Sequence, residues 1–408
     1  MIFSILWTMA WRDLGRNRRR TFFSILAVGL GLALLIVLNG YIKGVMEDAL
    51  DNVIRMDTGH VQLRAPTYEA DNMSLLWEDL LANPEDLAAQ ARTVDGVTAA
   101  APVLWAGAYL NTFDESVGVR LFGVDPTASA AAPFQDTLVA GAMPAPDDRS
   151  GVLIGKRLAD SLKLGVGDTL NLAVVNANGE PDEAPFTVRG LFSTGIFSYD
   201  DGTVLMPLAK AQAFAGTGDR ASAVIVVLAD RDNADAVAEA LRSAEVNTLT
   251  WRDLNQVFLQ TMDLAMGFYV YLYGIVILIV AVIVANTLLM AVFERFREIG
   301  IFAALGMRGR QITLLFLLQA LALGLLGVLL GNLIGSAGVA WLANYGIPIG
   351  DMGAVAADIP ISAVLQARFN PSGMLWLSLW TLLITLVASL YPAWYASRLE
   401  PVDALNAL

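Results

Sequence analysis

The sequence predicts an integral membrane α-helical protein: four transmembrane helices carrying one large α/β domain outside the membrane. Three observations predict this class: four long uncharged apolar runs, a shortage of charge, and the uneven placing of what charge remains. Of 408 residues, 56% are hydrophobic and 16% charged, against about a quarter charged in an ordinary soluble domain. Between Lys43 and Asp263 lie 32 acidic and 15 basic residues, a net charge of −17. That stretch is long enough to bury a core of its own.

The runs are Thr21 to Ile42, Leu264 to Phe293, Gln311 to Gly350 and Pro371 to Ser397, each meeting the roughly 20 apolar residues that a spanning helix needs. The third ends in the breakers Asn344-Tyr345-Gly346-Ile347-Pro348; the fourth opens on Asn370-Pro371, a cap and first helical turn. The first run exceeds the roughly 7–15 residues of a signal-peptide apolar core and is read as a retained span. Arg12, Arg16, Arg18, Arg19 and Arg20 precede it, and Arg295, Arg297, Arg308 and Arg310 follow the second run. The loop after the third holds only Arg368, with Asp351 and Asp358. Basic flanks stay in the cytoplasm, so both termini and the middle loop are expected inside, with the acidic domain outside.

The expected organisation is a cytoplasmic N-terminus, first span and stalk over 1–57, then an outer α/β domain over 58–250 with a strand-rich insertion at about 102–203. A second stalk and span follow over 251–293, a cytoplasmic segment over 294–310, the third span over 311–345, an outer loop over 346–370, the fourth span over 371–397 and a tail over 398–408. The stalks are inferred from length. The second run would extend about 45 Å as one helix, against about 30 Å of hydrocarbon, and Trp251–Met262 contains no breaker. In the outer domain Gly59–Arg64, Asp168–Val175, Phe186–Phe192 and Ala223–Leu228 read as strands, Pro84–Thr93 and Asn233–Ala244 as helices, and Ala142–Pro146 and Gly179–Pro185 as loops. Gly327, Gly331 and Gly335 form a small-residue stripe in the third span, suited to close helix approach within the chain or to a partner. Pro392 is expected to kink the fourth.

Composition excludes several chemistries. There is no cysteine and one histidine, His60; the first removes disulfides, thiolate metal sites and a Cys nucleophile, and the second argues strongly against a zinc site or a Ser-His-Asp triad. His60 reads as a satisfied strand residue in preference to a pH switch. The acidic bulk disfavours nucleic acid. The nearest approach to a phosphate loop, Gly151-Val152-Leu153-Ile154-Gly155-Lys156-Arg157, has three residues between its glycines and Arg where Ser or Thr holds magnesium. No catalytic, metal or cofactor site is expected.

The most informative segment runs from Glu294 to Arg308, Glu-Arg-Phe-Arg-Glu-Ile-Gly-Ile-Phe-Ala-Ala-Leu-Gly-Met-Arg. By itself it is a short amphipathic helix, either lying on headgroups or docking in a partner's groove. The pattern E-R-x-R-E-I-G-I-x-x-A-L-G resembles the coupling segment of FtsX/MacB/Lol-type (type VII, mechanotransmission) ABC permeases. Three further pieces in order are similar to that family: Arg12–Thr21, Ile154–Ala159 with Gly165–Asp168, and Pro392–Leu405. The resemblance covers essentially the whole chain. It implies a Porter-plus-Sabre type outer domain, a dimer with a second copy or a homologous permease, and a pair of cytoplasmic ATPases that hold the ATP and magnesium. Glu294, Arg297, Glu298, Ile299, Gly300, Ala304 and Gly306 match the coupling motif and are the expected ATPase contacts. MacB itself carries a fused N-terminal ATPase, so that likeness is expected to be confined to the permease half.

Within the family, Thr58–Leu63 with Tyr68, and Gly195–Leu208, look like the lipoprotein-releasing LolC/LolE branch, which implies lipoprotein cargo lifted from the inner membrane and passed to a periplasmic carrier. Leu38, Tyr41, Met262, Met266, Phe268 and Tyr269 are the candidate acyl-chain cavity, since Met and aromatic side chains suit irregular lipid surfaces; they equally suit helix packing or an aromatic belt. The alternatives are MacB-like efflux of peptides or toxins and an FtsX-like regulator of cell-wall hydrolases that moves no cargo.

Overall fold

The computed structural model describes residues 2–16, 18–69, 72–112, 115–349 and 361–398. Asp351, Asp358 and the end of the C-terminal motif, 399–405, lie outside them. The chain divides into two compact units, one formed by 1–45, 262–347 and 366–408, the other by 46–261 and 348–365.

The first unit is helical. Among the described residues it holds all or most of four long apolar helices, Arg18–Val53, continued by a π-helical stretch Ile54–Thr58, then Gln256–Glu294, Gly309–Tyr345 and Pro371–Ser397, the ends of the first two running into the second unit. Each is long and apolar enough to cross a bilayer; they are called the first to fourth spans below. A shorter N-terminal helix, Ile2–Arg16, precedes them, and another, Phe296–Ala304, joins the second span to the third. The fourth begins as expected: Asn370 accepts a hydrogen bond from Gly373 N at 3.2 Å, with Pro371 in the first turn. Pro392 lies inside that helix.

The glycine stripe of the third span packs within the chain. A Cβ on Gly327 would sit 2.6 Å from Val28 Cγ1, one on Gly331 2.8 Å from the Gly29 carbonyl oxygen, and one on Gly335 2.9 Å from Ile36 Cβ. The partners Val28, Leu32 and Ile36 recur every four residues on the first span, so the two rows interlock. Polar side chains add ties: Asn332 Nδ2 donates to Ser378 Oγ at 2.9 Å, and Asn370 Nδ2 to Asn39 Oδ1 at 2.9 Å.

The second unit is a mixed α/β domain built on ten strands: β1 Val61–Arg64, β2 Val97–Asn111, β3 Ser116–Val124, β4 Leu138–Gly141, β5 Gly151–Gly155, β6 Thr169–Val175, β7 Pro181–Phe192, β8 Thr203–Pro207, β9 Ala223–Leu228 and β10 Asn247–Thr250. The order β10-β1-β9-β2 makes an open lobe, covered by helices Pro84–Ala91 and Ala234–Ala240. From β2 the pairing continues through β3, β8, β5, β7 and β6, and β6 pairs back onto β2. This ring is a closed six-stranded barrel, with β4 added beside β7.

The long β2 belongs to both parts. Its residues alternate faces: Leu104, Ala106, Ala108 and Leu110 enter the barrel core, while Ala101, Val103 and Trp105 enter the lobe's core. That second core holds an aromatic ladder, with ring centroids 6.2 Å apart from Trp105 to Phe122, 5.5 Å from Phe122 to Phe134 and 5.1 Å from Phe134 to Phe192.

Three local expectations are corrected. Gly179–Pro185 is not all loop: the turn is confined to Asn176–Glu180, and Pro181 starts β7, paired across to Val175. Proline is tolerated as the first residue of a strand, and cross-strand pairing overrides the breaker-rich composition. The helix expected to reach Ala244 ends at Ala240, because the chain turns to bury Leu241 and Val246 and to lay Asn247–Thr250 beside β1. The breaker-free Trp251–Met262 is interrupted. A capping box of Thr250 and Asp253 starts a one-turn helix, and Asn255 Nδ2 donates to the Trp251 carbonyl at 2.8 Å before the second span begins at Gln256.

Candidate coupling site

The segment from Glu294 to Arg308 forms a helix, Phe296–Ala304, closed by Gly306 at φ +91, where a left-handed backbone favours glycine. Arg308 N then donates to Gln311 Oε1 at 2.8 Å at the start of the third span. Ile299 is 4% exposed and packs among Ala291, Val292, Ile312, Phe316, Ala393 and Ala396. It fastens the helix to the ends of three spans. Gly300 is also buried.

The expected contact residues therefore divide. Ile299 and Gly300 turn inward, while Arg297, Ala304 and Gly306 are exposed. The exposed apolar side chains on this face are Ile301 and Leu305, the latter 80% exposed; both stand in the motif pattern but were not among the expected ATPase contacts. The acidic pair is engaged within the chain: Glu294 bonds Arg20 and Glu298 bonds Arg16. These pairs are partly exposed and contribute little stability.

A third pair is of another kind. Arg295, its side chain 7% exposed, meets Asp13 Oδ2 through Nη1 at 2.5 Å and donates to the Asp13 carbonyl through Nη2 at 3.1 Å. Gln319 Nε2 of the third span donates to the same carboxylate at 2.7 Å. Asp13 thus ties the N-terminal helix, the connecting segment and the third span together. Beside this tie lies a cavity of about 510 Å³ whose lining includes Arg12, Arg16 and Arg295 together with Met9, Phe302 and Leu315.

Of the six residues expected at an acyl-chain cavity, Phe268 and Tyr269 stand with ring centroids 6.3 Å apart. Phe268 is 62% exposed and Met266 is also exposed, whereas Leu38, Met262 and Tyr269 are half-buried. Tyr41 packs on the cluster of Leu35, Ile36 and Leu342.

In the second unit His60 precedes β1. Leu228 N donates to its Nδ1 at 2.9 Å, which requires the neutral ring, and burial, followed by the charge of Arg231, lowers its pKa. The glycine segment from Gly151 forms β5 and the start of a helix, its backbone committed to neighbouring strands, with Lys156 paired to Asp160 and Arg157 to Asp201. Nothing there resembles a phosphate cradle.

Four spans, a connecting helix pinned by Ile299, and a large α/β domain lying in sequence between the first two spans describe a membrane protein with one large domain outside its helices. Residues 21–244 match the MacB-like periplasmic core domain and 270–401 the FtsX-like permease C-terminal domain. The chain belongs to the FtsX/MacB-like family of ABC transporter permeases, and as such it works with an ATPase partner. It is a multi-pass membrane protein with a large periplasmic domain. Among curated proteins it is 25% identical to the lipoprotein-releasing system transmembrane protein LolC of Neisseria meningitidis, over 95% of this chain and 94% of that protein. It is 27% identical to the macrolide export ATP-binding/permease protein MacB of Rhodospirillum rubrum, over 98% of this chain but 60% of that longer protein. LolE of Haemophilus influenzae is 26% identical over 64% of this chain.

Proposed function

We propose that this chain transmits the work of ATP hydrolysis, done by a cytoplasmic ABC ATPase dimer, to its periplasmic domain, and that the work extracts lipoproteins from the inner membrane for a periplasmic carrier. The observation that carries the cargo reading is the end-to-end likeness to LolC, over 95% of this chain and 94% of that protein. For the coupling step the support is geometric. An exposed apolar and basic face, Arg297, Ile301, Ala304 and Leu305, sits on a helix whose other face is anchored by Ile299. A force on that face reaches the second, third and fourth spans through side chains already in contact.

In this reading both termini and the Phe296–Ala304 helix are cytoplasmic, and the permease pairs with a second copy or a homologue. ATP and magnesium belong to the ATPase. Leu38, Tyr41, Met262, Met266, Phe268 and Tyr269 line the path of the acyl chains.

The test is reconstitution of the chain with its co-purified ATPase and any second permease in proteoliposomes loaded with a triacylated lipoprotein. Transfer of the lipoprotein to a soluble carrier on adding ATP is expected, and Leu305→Asp is expected to abolish transfer while the chain remains folded. Stimulated ATPase activity without lipoprotein release would remove the cargo assignment. Export of a peptide or toxin through a tunnel partner would replace it with MacB-like efflux, a reading favoured by the 27% identity to MacB. Alkaline phosphatase fused at Asp147 should be active; an inactive fusion reverses the orientation.

A further inference from the structure

The second unit holds a cavity that neither the coupling nor the cargo reading uses. Its volume is about 390 Å³, within the range of small-molecule pockets. It is lined by the end of the first long helix, by Gly59 and His60, by residues from 129–136 and by strand β9. Ile54, Met56, Ala130, Pro133 and Ile225 in this lining are buried. The helix end is wound as a π-helix, closed by Gly59 N donating to the Ile54 carbonyl at 2.8 Å; such turns are rare and gather at functional sites. Gly59, at φ +60, then passes close to β9, where a Cβ would stand 2.5 Å from Ile225 Cγ2, so only glycine fits.

The charges in the lining cancel. Asp51 pairs with Arg231 at 2.9 Å and Arg55 with Asp136 at 3.1 Å, which leaves no excess charge to hold an ion. His60 and Ser129 remain as uncharged polar side chains. His60 N donates to the Val226 carbonyl at 3.0 Å, its own carbonyl accepts from Trp251 N at 3.0 Å, and Nδ1 accepts from Leu228 N at 2.9 Å. A ring nitrogen that accepts leaves the proton on the other, here Nε2. Among the described residues Nε2–H has no partner. It is also not one of the enclosed side-chain atoms without a partner, which are Tyr68 Oη, Trp105 Nε1, Thr217 Oγ1, Arg295 Nε and Thr381 Oγ1, so it is accessible. The lining therefore combines apolar side chains with a neutral donor.

We propose that this cavity binds an uncharged, mainly apolar small molecule bearing a carbonyl oxygen, which accepts the Nε2–H of His60. An ion would find its charge unanswered, because the carboxylates and guanidiniums of the lining are already paired. A plain hydrocarbon would leave the donor unused. The site lies wholly within the second unit and needs neither ATPase nor lipoprotein, so its failure would leave the proposed function standing.

The full chain, with isotope-labelled methionine methyl groups, is held in lipid nanodiscs at about pH 8, where the ring is neutral, and titrated with cyclohexanone. The Met56 methyl signal, assigned through Met56→Leu, reports the cavity by NMR. A saturable shift is expected, with binding about fivefold tighter than that of methylenecyclohexane, which keeps the shape and lacks the acceptor, as one neutral hydrogen bond gives. Cyclohexanecarboxylate and cyclohexylammonium should leave the signal unmoved. In His60→Phe the two neutral probes should bind alike, and Ala132→Leu, which fills the cavity, should weaken both; melting temperatures of the variants report folding. The proposal is overturned by the absence of a saturable shift, by equal affinity for the two neutral probes, or by a charged probe binding as tightly as cyclohexanone. An undiminished preference in a folded His60→Phe, or undiminished binding in a folded Ala132→Leu, overturns it as well.

Discussion

The two units both bury large apolar side chains, Leu32, Leu35 and Ile36 among them in the helical unit, but differ in what they leave outside and in what stands between their elements. In the α/β unit the interior is made of large apolar groups, with Phe122, Phe134, Phe186, Phe192, Leu104 and Leu153 all essentially inaccessible. In the helical unit large apolar groups face outward: Leu329 is 67% exposed, Leu333 71% and Leu278 62%, while Gly327, Gly331, Thr385 and Ser389 are buried between helices. The difference follows from the solvent. Water drives apolar area inward; lipid tails are as apolar as leucine, so helices associate through close backbone approach and a few polar bonds. The same residue type therefore has different energetic meaning in the two halves of one chain.

Substitutions can break or sharpen this contrast. The largest effect is expected at Phe122, in the middle of the aromatic ladder. Phe122→Ala should cost about 3–5 kcal/mol, read as a fall in the denaturation midpoint of the outer domain within the full chain; a loss below about 1 kcal/mol would show that the ladder is loosely packed. Next is Gly331→Val, whose Cβ would stand 2.8 Å from the Gly29 carbonyl. Overpacking of about 1–3 kcal/mol is expected, seen as a lower melting temperature in detergent, and an unchanged melt would mean that the first and third spans do not interlock. By contrast Leu333→Ala, large in area but facing lipid, should change bilayer stability by less than about 0.5 kcal/mol. A core-sized loss there would reveal a protein partner on that face.

The smallest effect concerns pH. The His60 pKa is lowered from its ordinary value by burial, so the folded protein holds the ring neutral where the unfolded chain would already bind a proton. Its neutral-state bond from Leu228 N is intact above the unfolded pKa of about 6.5 and is lost as pH falls through the lower folded value. The protection factor of the Leu228 amide, its exchange rate relative to the free-peptide rate at the same pH, should fall on acidification over that window. His60→Gln should flatten the response, and an equal response in that variant would place the titrating group elsewhere.

Legibility from sequence also differed between the halves. Spans are read from composition, because a helix in lipid satisfies its own backbone and needs only a long apolar run; Pro371–Ser397 starts and ends as its residues indicate. In the outer domain Ala223–Leu228 was legible as a run of β-branched residues, whereas β7 began inside a stretch rich in Pro, Glu and Asp. At the candidate coupling site the motif identified the segment but not its geometry. Asp13, Arg295 and Gln319 are drawn together from three parts of the chain, and no local signal marks such a meeting.

What the sequence alone determined was the count of spans, the family, and the presence of an outer α/β domain, since these rest on composition and on short motifs read locally. Tertiary structure decided that six strands close into a barrel sharing β2 with an open lobe, that the glycine stripe of the third span faces the first, and that Glu294 and Glu298 pair within the chain. Each of these depends on which distant residues share a face, and side-chain direction is settled only when the partner element is in place.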